Sequence, residues 1–544
     1  MISVRNGGSG SSEILLGIRI SNPPTKTSYI AGENLALAGM TVQSIKTDGD
    51  TETYEDITGW TTDKADGSIL YENTTSIVIS WVSEGKTYTA SQTITVKRVL
   101  SSIAFTAQPT KTIYGKGETL DLTGATVTAT FTSGLTEAVV PTYSPANGTV
   151  LSDFGSFVLT ATYTENGITK TATTAYSVPP KIYGVKWNYA NSATALTRLT
   201  TANDSTVNTD ISTAATAGIG STAGSSPFDN IYPWNEMDEY NVSGGAITVK
   251  HGEAGFSRAN DTVVKIPKFY YKVVDNSSTS TRCFYISEGP SDGFTLHPAF
   301  SRGGVEKDAI YVGRYQTYNS STITGNAPQV SLTRANFRTN ATSKGSNWCQ
   351  WDYASWCAIW MLYLVEFADW NSQTKIGQGY TAMSNASAAG GTDSMTYFTG
   401  RAAGSDGSTA VQYRHIENLW GNVYQWVDGI NFNGSSLYVC TDPSKFADDT
   451  STNYTYIGDK IDASGYIDKL NYLTSAPYAF APGGSSGSTS TYVPDYHSYN
   501  SGWLVLGVGG GWDGSLSAGL FYFSASHSSG YTDSNFGSRL LLIP

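Results

Sequence analysis

Two stretches of the chain repeat one another at a constant offset of 85 residues, and this internal repeat constrains the fold more than any other feature. Residues 24–42 read PTKTSYIAGENLALAGMTV, and residues 109–127 read PTKTIYGKGETLDLTGATV. The offset aligns Pro24 with Pro109, Tyr29 with Tyr114, Gly32 with Gly117, Glu33 with Glu118 and Val42 with Val127. Self-similarity at a fixed offset indicates two copies of one folding unit.

Both copies continue as short segments in which polar and apolar residues alternate, such as 76–81 and 156–163, with Gly, Asn and Pro between them. Such alternation, broken by frequent turn residues, is typical of a sandwich of two β-sheets. We therefore predict β-sandwich domains over residues 13–98 and 99–178, after an N-terminal tail of residues 1–12. The shared PTKT-Y-GE-L-L-G-V pattern resembles bacterial immunoglobulin-like domains of adhesins and phage tail proteins. That resemblance implies spacers without a ligand of their own.

Charge and composition exclude two classes of partner. Only 14% of the residues are charged, the formal net charge is -12, and Lys and Arg form no cluster. A protein that follows nucleic-acid phosphates needs a basic surface, so we expect no nucleic-acid partner. No run of about 18 apolar residues occurs, so we expect no membrane insertion. Abundant Gly (56) and Tyr (35) favour a β-rich, loop-rich extracellular or virion protein.

The first residues, MISVRNGGSG, lack the apolar segment of a secretory signal peptide. A surface-facing protein without an export signal is most simply explained as part of a phage particle. We therefore expect a virion location, at a tail tip or fibre, with the bacterial cell surface as the alternative. A sequence that is a piece of a longer chain, or a secretion route that needs no signal, would give the same pattern.

Beyond residue 178 the composition changes. The sequence VPPK at 178–181 predicts a semi-rigid link, because consecutive prolines favour extended backbone. Eleven of the thirteen tryptophans follow it, in the predicted C-terminal domain of residues 179–544. Residues 190–225 are rich in Ala, Thr, Ser and Asn, which indicates a long ordered loop or an oligomer contact.

Two elements of this domain can be predicted from pattern alone. Residues 263–273 read VVKIPKFYYKV, which predicts a strand. Residues 350–369 predict a helix with a buried face, because Trp356, Trp360 and Tyr363 or Leu364 recur at helical spacing. That face is expected to belong to the core. The chain as a whole is therefore predicted to be mostly β, with an α+β C-terminal domain.

The four cysteines, Cys283, Cys349, Cys357 and Cys440, are too few for a disulfide scaffold in a chain of 544 residues. Cys349 and Cys357 lie near one another in a Trp-rich stretch, so a bridge between them stays open. Small buried thiols are the favoured interpretation.

Four landmarks follow one another in the C-terminal domain: YVGRYQ at 311–316, the helix at 350–369, LWGNVYQWVDG at 419–429, and GGGWD at 509–513 followed by GSRLL at 537–541. Their order resembles the formylglycine-generating-enzyme (sulfatase-modifying) branch of the C-type lectin fold. The third landmark is similar to that family's Gly-Asn-Val-x-Glu-Trp signature, with Gln425 where the family usually has Glu. The resemblance implies a fold of two immunoglobulin-like β-sandwiches followed by a C-type lectin fold domain.

Three residues of these landmarks are predicted to be scaffold. Asn422 and Trp426 can fix a loop through side-chain hydrogen bonds and an aromatic plug. Arg539 precedes the apolar residues 540–543, so its guanidinium is expected to satisfy buried carbonyls or a carboxylate.

The same resemblance raises the question of catalysis. The oxidases of that family use a cysteine pair near the C-terminus, whose thiolates bind copper and activate oxygen. No cysteine follows Cys440, and the five histidines (His251, His297, His415, His497 and His527) show no metal-ligand spacing. We therefore expect no enzyme, no catalytic residue and no cofactor, with a structural calcium ion left open but unassigned. An oxidase of the formylglycine-generating type is the less favoured alternative.

A second resemblance concerns the end of the chain. Residues 508–523 read VGGGWDGSLSAGLFYF, and NFGSR follows at 535–539 after a Ser/Gly/Tyr loop. This pattern resembles the variable proteins of diversity-generating retroelements, such as phage tropism determinants, whose final segment is hypervariable on a rigid lectin fold. Those systems mutate template adenines, and asparagine codons altered at their first two bases give Ser, Asp, Tyr, His, Gly and Thr. Ordinary loops contain the same residues, which is the alternative.

The second resemblance implies a variable segment over about residues 504–539. Its ligand-binding residues would be Gly511, Asp513, Ser515, Ser517, Tyr522, Ser524, Ser526, His527, Gly530, Tyr531, Thr532 and Asp533. Its scaffold would be Trp512, Phe521 and Phe523, together with Asn422, Trp426 and Arg539. If a strand alternates through this segment, Phe521 and Phe523 point into the core and Tyr522 is exposed.

These expectations combine into a non-catalytic ligand-binding or display protein, a phage tail receptor-binding protein diversified by a retroelement. Its partner would be a host cell-surface receptor, either protein or glycan. The phage relatives imply a homo-oligomer, with a trimer favoured. A bacterial cell-surface adhesin or display protein is the alternative.

Overall fold

The computed structural model describes residues 13–544, so the predicted tail of residues 1–12 lies outside the described residues. Contacts divide the chain into two compact units, with the boundary between Pro179 and Pro180. Within the described residues β-strand is the main secondary structure and there are three α-helices, which confirms the mostly β fold with a small helical part. None of the helices within residues 13–544 combines the length and the apolarity that crossing a bilayer requires.

The described part of the first unit is built entirely from strands and turns. The strands are β1 (Ile14–Asn22), β2 (Ser28–Ile30), β3 (Thr41–Thr47), β4 (Glu52–Asp56), β5 (Thr61–Thr62), β6 (Ser76–Ser83), β7 (Lys86–Thr93), β8 (Thr95–Lys97), β9 (Leu100–Ala107), β10 (Thr126–Phe131), β11 (Thr136–Val139), β12 (Thr142–Ser144), β13 (Gly155–Glu165) and β14 (Ile168–Val178). The first copy of the repeat forms the sheets β1-β3-β4 and β5-β6-β7, and the second forms β11-β10-β9 and β12-β13-β14.

In each copy, residues from the two sheets meet in a common core. Ile18 of β1 and Val42 of β3 pack with Ile79 of β6 in the first copy. Ile103 of β9 packs with Ala161 of β13 in the second. Alternate residues of each strand therefore face inward, as a two-layer sandwich requires.

The repeated residues form the same turn in both copies. Each tyrosine hydroxyl lies within hydrogen-bond distance of two carbonyls: Lys26 and Ala36 for Tyr29 (2.7 and 3.1 Å), Lys111 and Asp121 for Tyr114 (2.8 and 2.9 Å). Glu33 accepts the N–H of Ile30 at 2.7 Å, and Glu118 accepts the N–H of Gly115 at 2.8 Å. Gly32 and Gly117 have φ of 95° and 85°, which favours glycine. The repeat therefore preserves a hydrogen-bonded turn.

The second unit contains twenty-six strands and all three helices of the described chain. Its first strands are β15 (Ile182–Asn188), β16 (Thr197–Leu199), β17 (Gly218–Ile219), β18 (Glu239–Ser243), β19 (Ala246–Lys250), β20 (Thr262–Pro267), β21 (Tyr270–Asn276), β22 (Thr281–Ser287), β23 (Thr295–Leu296), β24 (Ser301–Arg302), β25 (Val305–Glu306) and β26 (Ala309–Gln316). The helices are α1 (Arg334–Thr342), α2 (Tyr353–Phe367) and α3 (Ser372–Lys375).

The remaining strands are β27 (Trp348–Gln350), β28 (Gly400–Arg401), β29 (Val411–Tyr413), β30 (Ile416–Glu417), β31 (Tyr424–Asn433), β32 (Ser436–Val439), β33 (Thr455–Asp459), β34 (Gly465–Ile467), β35 (Lys469–Leu470), β36 (Pro482–Gly484), β37 (Val493–Tyr499), β38 (Trp503–Val508), β39 (Phe523–His527) and β40 (Phe536–Leu542). The largest sheet has the order β19-β18-β20-β26-β40-β31-β38-β39-β37-β34, and a five-stranded sheet has the order β16-β15-β22-β21-β23. Within the large sheet, β40 runs parallel to β31, and β39 runs parallel to β37.

Helix α2 lies in the core of this unit, in contact with β15 and β22 of the five-stranded sheet and β31 of the large sheet. Asp352 caps its N-terminus by accepting the N–H of Ser355 at 2.8 Å. All fifteen residues of the helix are buried. The predicted helix and its buried face in the core are therefore confirmed, and the structure adds that its other sides are covered as well.

Three further predictions are corrected or decided. The strand expected over 263–273 is two strands, β20 and β21, because the chain leaves the first sheet after Pro267. The four cysteines are free, and Cys349 and Cys357 are buried. The disulfide bond between these two, which the sequence left undecided, does not form. Residues 190–225 are mostly irregular, but Leu199 and Ala215 are buried against the core.

Candidate functional site

The site predicted at the end of the chain is supported by Arg539 of β40, which is fully buried. Its guanidinium donates at 2.6–3.0 Å to five oxygens: the carbonyls of Gly313, Arg314, Glu417 and Asn418 and the side-chain oxygen of Gln425. Five donors therefore meet five acceptors, which are carbonyl oxygens and not a carboxylate. Burial lowers the pKa of Arg539 to about 9.

The hydrogen bonds of Gln425 explain why this position carries an amide side chain. Its Oε1 accepts from Nε of Arg539 at 2.9 Å, while its Nε2 donates to the carbonyls of Asn418 and Leu419, both at 3.1 Å. A glutamate could accept from Arg539 but could not donate to the two carbonyls. The departure from the Gly-Asn-Val-x-Glu-Trp pattern therefore fits the local hydrogen bonds.

Asn422 and Trp426 are both buried beside this network. Asn422 has φ of 66°, and its Nδ2 donates to Oε1 of Gln316 at 2.8 Å. Trp426 donates from Nε1 to the carbonyl of Leu332 at 3.2 Å, and its ring lies 4.4 Å from that of Phe536. Neither side chain is available to a ligand.

The backbone between β38 and β39 is held by groups that lie outside this segment. The carbonyl of Trp512 accepts from Met383 N at 2.8 Å, and the carbonyls of Ser515 and Ala518 accept from Nε2 of Gln373 at 3.0 and 2.7 Å. The N–H groups of Ser515, Leu520 and Phe521 donate to Thr381 O, Ser372 Oγ and Asp495 Oδ2 at 2.8, 3.0 and 2.7 Å. The backbone of this segment is therefore held mainly by groups outside it, while Ser517 Oγ also donates to the Gly514 carbonyl within it at 2.6 Å.

Asp495 of β37 fixes the turn that precedes β39. Besides accepting from Phe521, its carboxylate lies against Gly519, where a Cβ would come within 2.2 Å of a carboxylate oxygen. Burial raises the pKa of Asp495 well above its ordinary value, so the site favours the protonated carboxyl. Glycine at 519 is therefore a packing requirement.

The predicted ligand-binding residues fall into three groups by exposure. Asp513, Ser515, Gly530 and Thr532 are exposed, and Ser517, Ser526, His527, Tyr531 and Asp533 are half-buried. Gly511, Tyr522 and Ser524 are buried. The prediction that they belong to the ligand-binding surface is therefore wrong. We call the exposed and half-buried side chains of residues 512–517 and 526–533 the display surface.

Each buried member has a structural reason. A Cβ on Gly511 would lie 2.8 Å from the ring of Tyr424, which leaves no room for variation there. Tyr522 is 6% exposed because the strand begins only at Phe523, so the expected alternation does not apply at residues 521 and 522. Ser524 is 1% exposed, and its Oγ lies 3.2 Å from that of Ser526.

The predicted scaffold residues divide as well. Phe521 and Phe523 are fully buried, and the rings of both lie within 6 Å of Phe480. Trp512 was predicted to be scaffold, but its side chain is half-buried and contributes to the display surface. Its backbone, through the bond to Met383, is what the scaffold holds.

A row of aromatic rings links the two parts of the display surface. Tyr424 lies beside Gly511 and stacks on Phe536 at 4.7 Å, and Phe536 lies 5.5 Å from Tyr531. Tyr531 stacks on His527 at 4.0 Å. Burial lowers the pKa of His527, which favours the neutral imidazole in this stack.

Sequence reasoning missed two residues of this region. Leu516 is 48% exposed between Ser515 and Ser517, and an exposed leucine in a Ser/Gly segment is the signal that could have identified it. Tyr424, the variable position of the Gly-Asn-Val-x-Gln-Trp element, is half-buried under the display surface. Only its tertiary contacts reveal this position.

The region offers hydrogen-bonding and aromatic groups for recognition. Across residues 13–544, no group of three or more His, Cys, Asp or Glu side chains is arranged to hold a metal ion. The calcium site left open by the sequence stays unassigned.

The sequence matches no protein-family model and no curated protein. Among solved structures, PvdO from Pseudomonas aeruginosa aligns with 53% of this chain and 97% of its own, at 12% identity and a TM-score of 0.23. A TM-score this low does not establish a shared fold.

Proposed function

We propose that the protein is a non-catalytic ligand-binding protein that presents the display surface to a receptor on a host cell. One observation carries the proposal: the backbone of residues 512–521 is held by groups outside the segment, while Asp513, Ser515 and Leu516 are exposed. A surface held in this way can exchange side chains without losing its shape.

The chemistry of the display surface supports recognition. Half-buried Trp512 and Tyr531 supply contact area at low entropic cost, while Asp513, Ser515 and Thr532 supply adaptable hydrogen bonds. Antibody-combining sites use the same mixture of rigid aromatic and small polar residues. The receptor is accordingly a protein or a glycan on the cell surface.

The biological setting that we propose is a phage tail, with the first unit as two immunoglobulin-like spacers and the second as a C-type lectin fold carrying a segment diversified by a retroelement. A single surface of this size binds weakly, so a trimeric tip would supply avidity. A reverse-transcriptase gene beside a near-copy of the segment encoding residues 504–539, differing at adenines, is the genetic counterpart to look for.

The binding test compares two exposed apolar residues. The labelled full-length protein is applied to a panel of bacterial strains, and cell-associated fluorescence is measured. Leu516→Lys places a charge on the display surface and is expected to reduce binding at least about tenfold. Val140→Lys, at a site 93% exposed in the first unit, is the matched control and is expected to bind normally.

The proposal is contradicted if both variants bind like the parent protein, or if both lose binding equally. Melting temperatures of the two variants establish that any loss is not unfolding. Because both substitutions replace exposed side chains, the free energy of unfolding is expected to change by no more than about 0.5 kcal/mol.

A further inference from the structure

A second polar site lies in the C-terminal unit, lined by residues other than those of the display surface. A cavity of about 460 Å³ is lined by residues that include Asp238, His251, Arg258, Ser394, Phe398 and His415. This volume falls within the range of about 300–1,000 Å³ that small-molecule sites occupy. The residues come from distant parts of the sequence, so no motif announces the cavity.

His415 is placed in this cavity by an unusual turn. The hairpin between β29 and β30 has a two-residue loop, Arg414 and His415, with φ of 44° and 69°. Loops of this type favour Asn-Gly, since glycine accepts a positive φ without strain. Arg and His are therefore poor choices for the turn, and such an outlier points to a role for the side chains.

Both side chains of the turn are engaged. Arg414 forms a buried ion pair with Glu366 and a second ion pair with Asp229 at 3.0 Å. His415 Nδ1 lies 2.9 Å from Oε1 of Glu239, which orients the ring and leaves Nε2 3.7 Å from Oδ1 of Asp238. The turn thus places Nδ1 of His415 against the buried carboxylate of Glu239.

A second histidine lies next to the first. His251 Nδ1 lies 3.7 Å from the same oxygen of Asp238, and the two imidazole rings are 5.9 Å apart. His251 is 41% exposed, whereas His415 is 13% exposed. The two histidines and Asp238 therefore present ring nitrogens and a carboxylate oxygen together.

The charges around the cavity indicate the class of ligand. Each lining carboxylate is paired with a cation: Asp238 with Lys250 at 3.1 Å, Glu239 with Arg258 at 2.8 Å and Asp393 with Arg314 at 3.1 Å. An anion would meet the carboxylates, and a metal cation would meet Arg258. Balanced donors and acceptors suit a neutral ligand whose groups both donate and accept.

The cavity also has an apolar side. The ring of Phe398 lies 5.6 Å from that of His415, and Met395 belongs to the same lining. Hydroxyl-rich rings have this dual character, with polar edges and a C–H face that packs against aromatic rings. We propose that the cavity binds one neutral sugar residue, between Asp238, His251 and Arg258 on the polar side and Phe398 on the apolar side.

The test uses saturation-transfer NMR on the full-length protein with glucose, galactose, mannose and N-acetylglucosamine. The same four sugars as methyl glycosides form a second arm. Binding of a glycoside as tightly as the free sugar identifies the terminal residue of a glycan, and binding of the free sugar alone identifies a small metabolite.

Ser394→Trp, at an exposed position of the lining, is expected to fill the entrance of the cavity and to lower the affinity for the sugar at least about tenfold. His251→Ala is expected to weaken it several-fold. Ser277→Trp, at an exposed serine outside the lining, is the matched control and is expected to bind normally.

The proposal is overturned if none of the eight compounds shows saturation transfer, or if Ser394→Trp, folded by its melting temperature, binds like the parent. Leu516→Lys is expected to bind sugar normally. Failure of the display surface and failure of this cavity are therefore separate results.

Discussion

At the scale of single residues, the C-terminal unit depends on polar side chains buried where the chain itself supplies their partners. Arg539 is the clearest case, because its five donors meet carbonyl oxygens from three segments. Asp495 is different, because within residues 13–544 its carboxyl group accepts a hydrogen bond from the backbone N–H of Phe521, and burial raises its pKa well above the ordinary value.

This difference predicts a pH-dependent effect of Asp495→Asn. Because its folded-state pKa is raised, the contribution of Asp495 to stability is greatest below the unfolded-state pKa of about 3.9 and is lost as pH rises toward the folded value. Asparagine cannot ionise, and its Oδ1 can still accept from Phe521. We expect the variant to melt several degrees above the parent at about pH 7 and not above it at about pH 3.5.

Melting curves across this pH range, followed by tryptophan fluorescence, measure the effect. A difference between variant and parent that stays constant with pH would show that ionisation of Asp495 does not control stability.

At the scale of elements, α2 shows what a sequence pattern can and cannot establish. Its existence was predictable from the apolar run at 350–369, and its start at Tyr353 follows from the Asp352 cap. Its burial on every side was not predictable, because helical spacing does not reveal that sheets cover both faces. The same limit applies to residues 263–273, where one predicted strand is divided between two sheets.

The end of α2 gives a test at two alanines. Ala368 follows the helix with φ of 50° and ψ of 39°, while Ala358 lies in its middle, and both are buried. A left-handed conformation costs a non-glycine residue about 1–2 kcal/mol, which offsets the loss of a buried methyl group worth about 0.8 kcal/mol. We expect Ala368→Gly to be within about 0.5 kcal/mol of the parent and Ala358→Gly to lose about 2 kcal/mol.

Free energies of unfolding in urea provide the comparison. Equal losses at the two positions would contradict the role assigned to the left-handed residue, since both substitutions remove one methyl group.

At the scale of the whole molecule, the two units have separate cores, so a local change in one is expected to leave the other unaffected. Tyr114→Phe removes the hydroxyl that bridges Lys111 and Asp121, which is expected to lower the stability of the first unit by about 1–2 kcal/mol. Eleven of the thirteen tryptophans belong to the second unit, so their fluorescence follows its unfolding.

Urea unfolding is therefore measured by far-ultraviolet circular dichroism and by tryptophan fluorescence. Tyr114→Phe should shift an early part of the dichroism transition and leave the main fluorescence transition in place. Coincident shifts of both signals would show that the units unfold together.

The sequence by itself determined the repeated turns, the mostly β character, the central helix and the buried role of Arg539, because these follow from local periodicity, backbone conformation and the hydrogen-bonding capacity of single residues. Tertiary structure alone decided that Gly511, Tyr522 and Ser524 are buried while Leu516 and Trp512 reach the surface. It also brought His251 and His415 together. Burial and proximity depend on contacts with residues that are distant in the chain. A pattern of neighbouring residues in the sequence does not reveal these contacts.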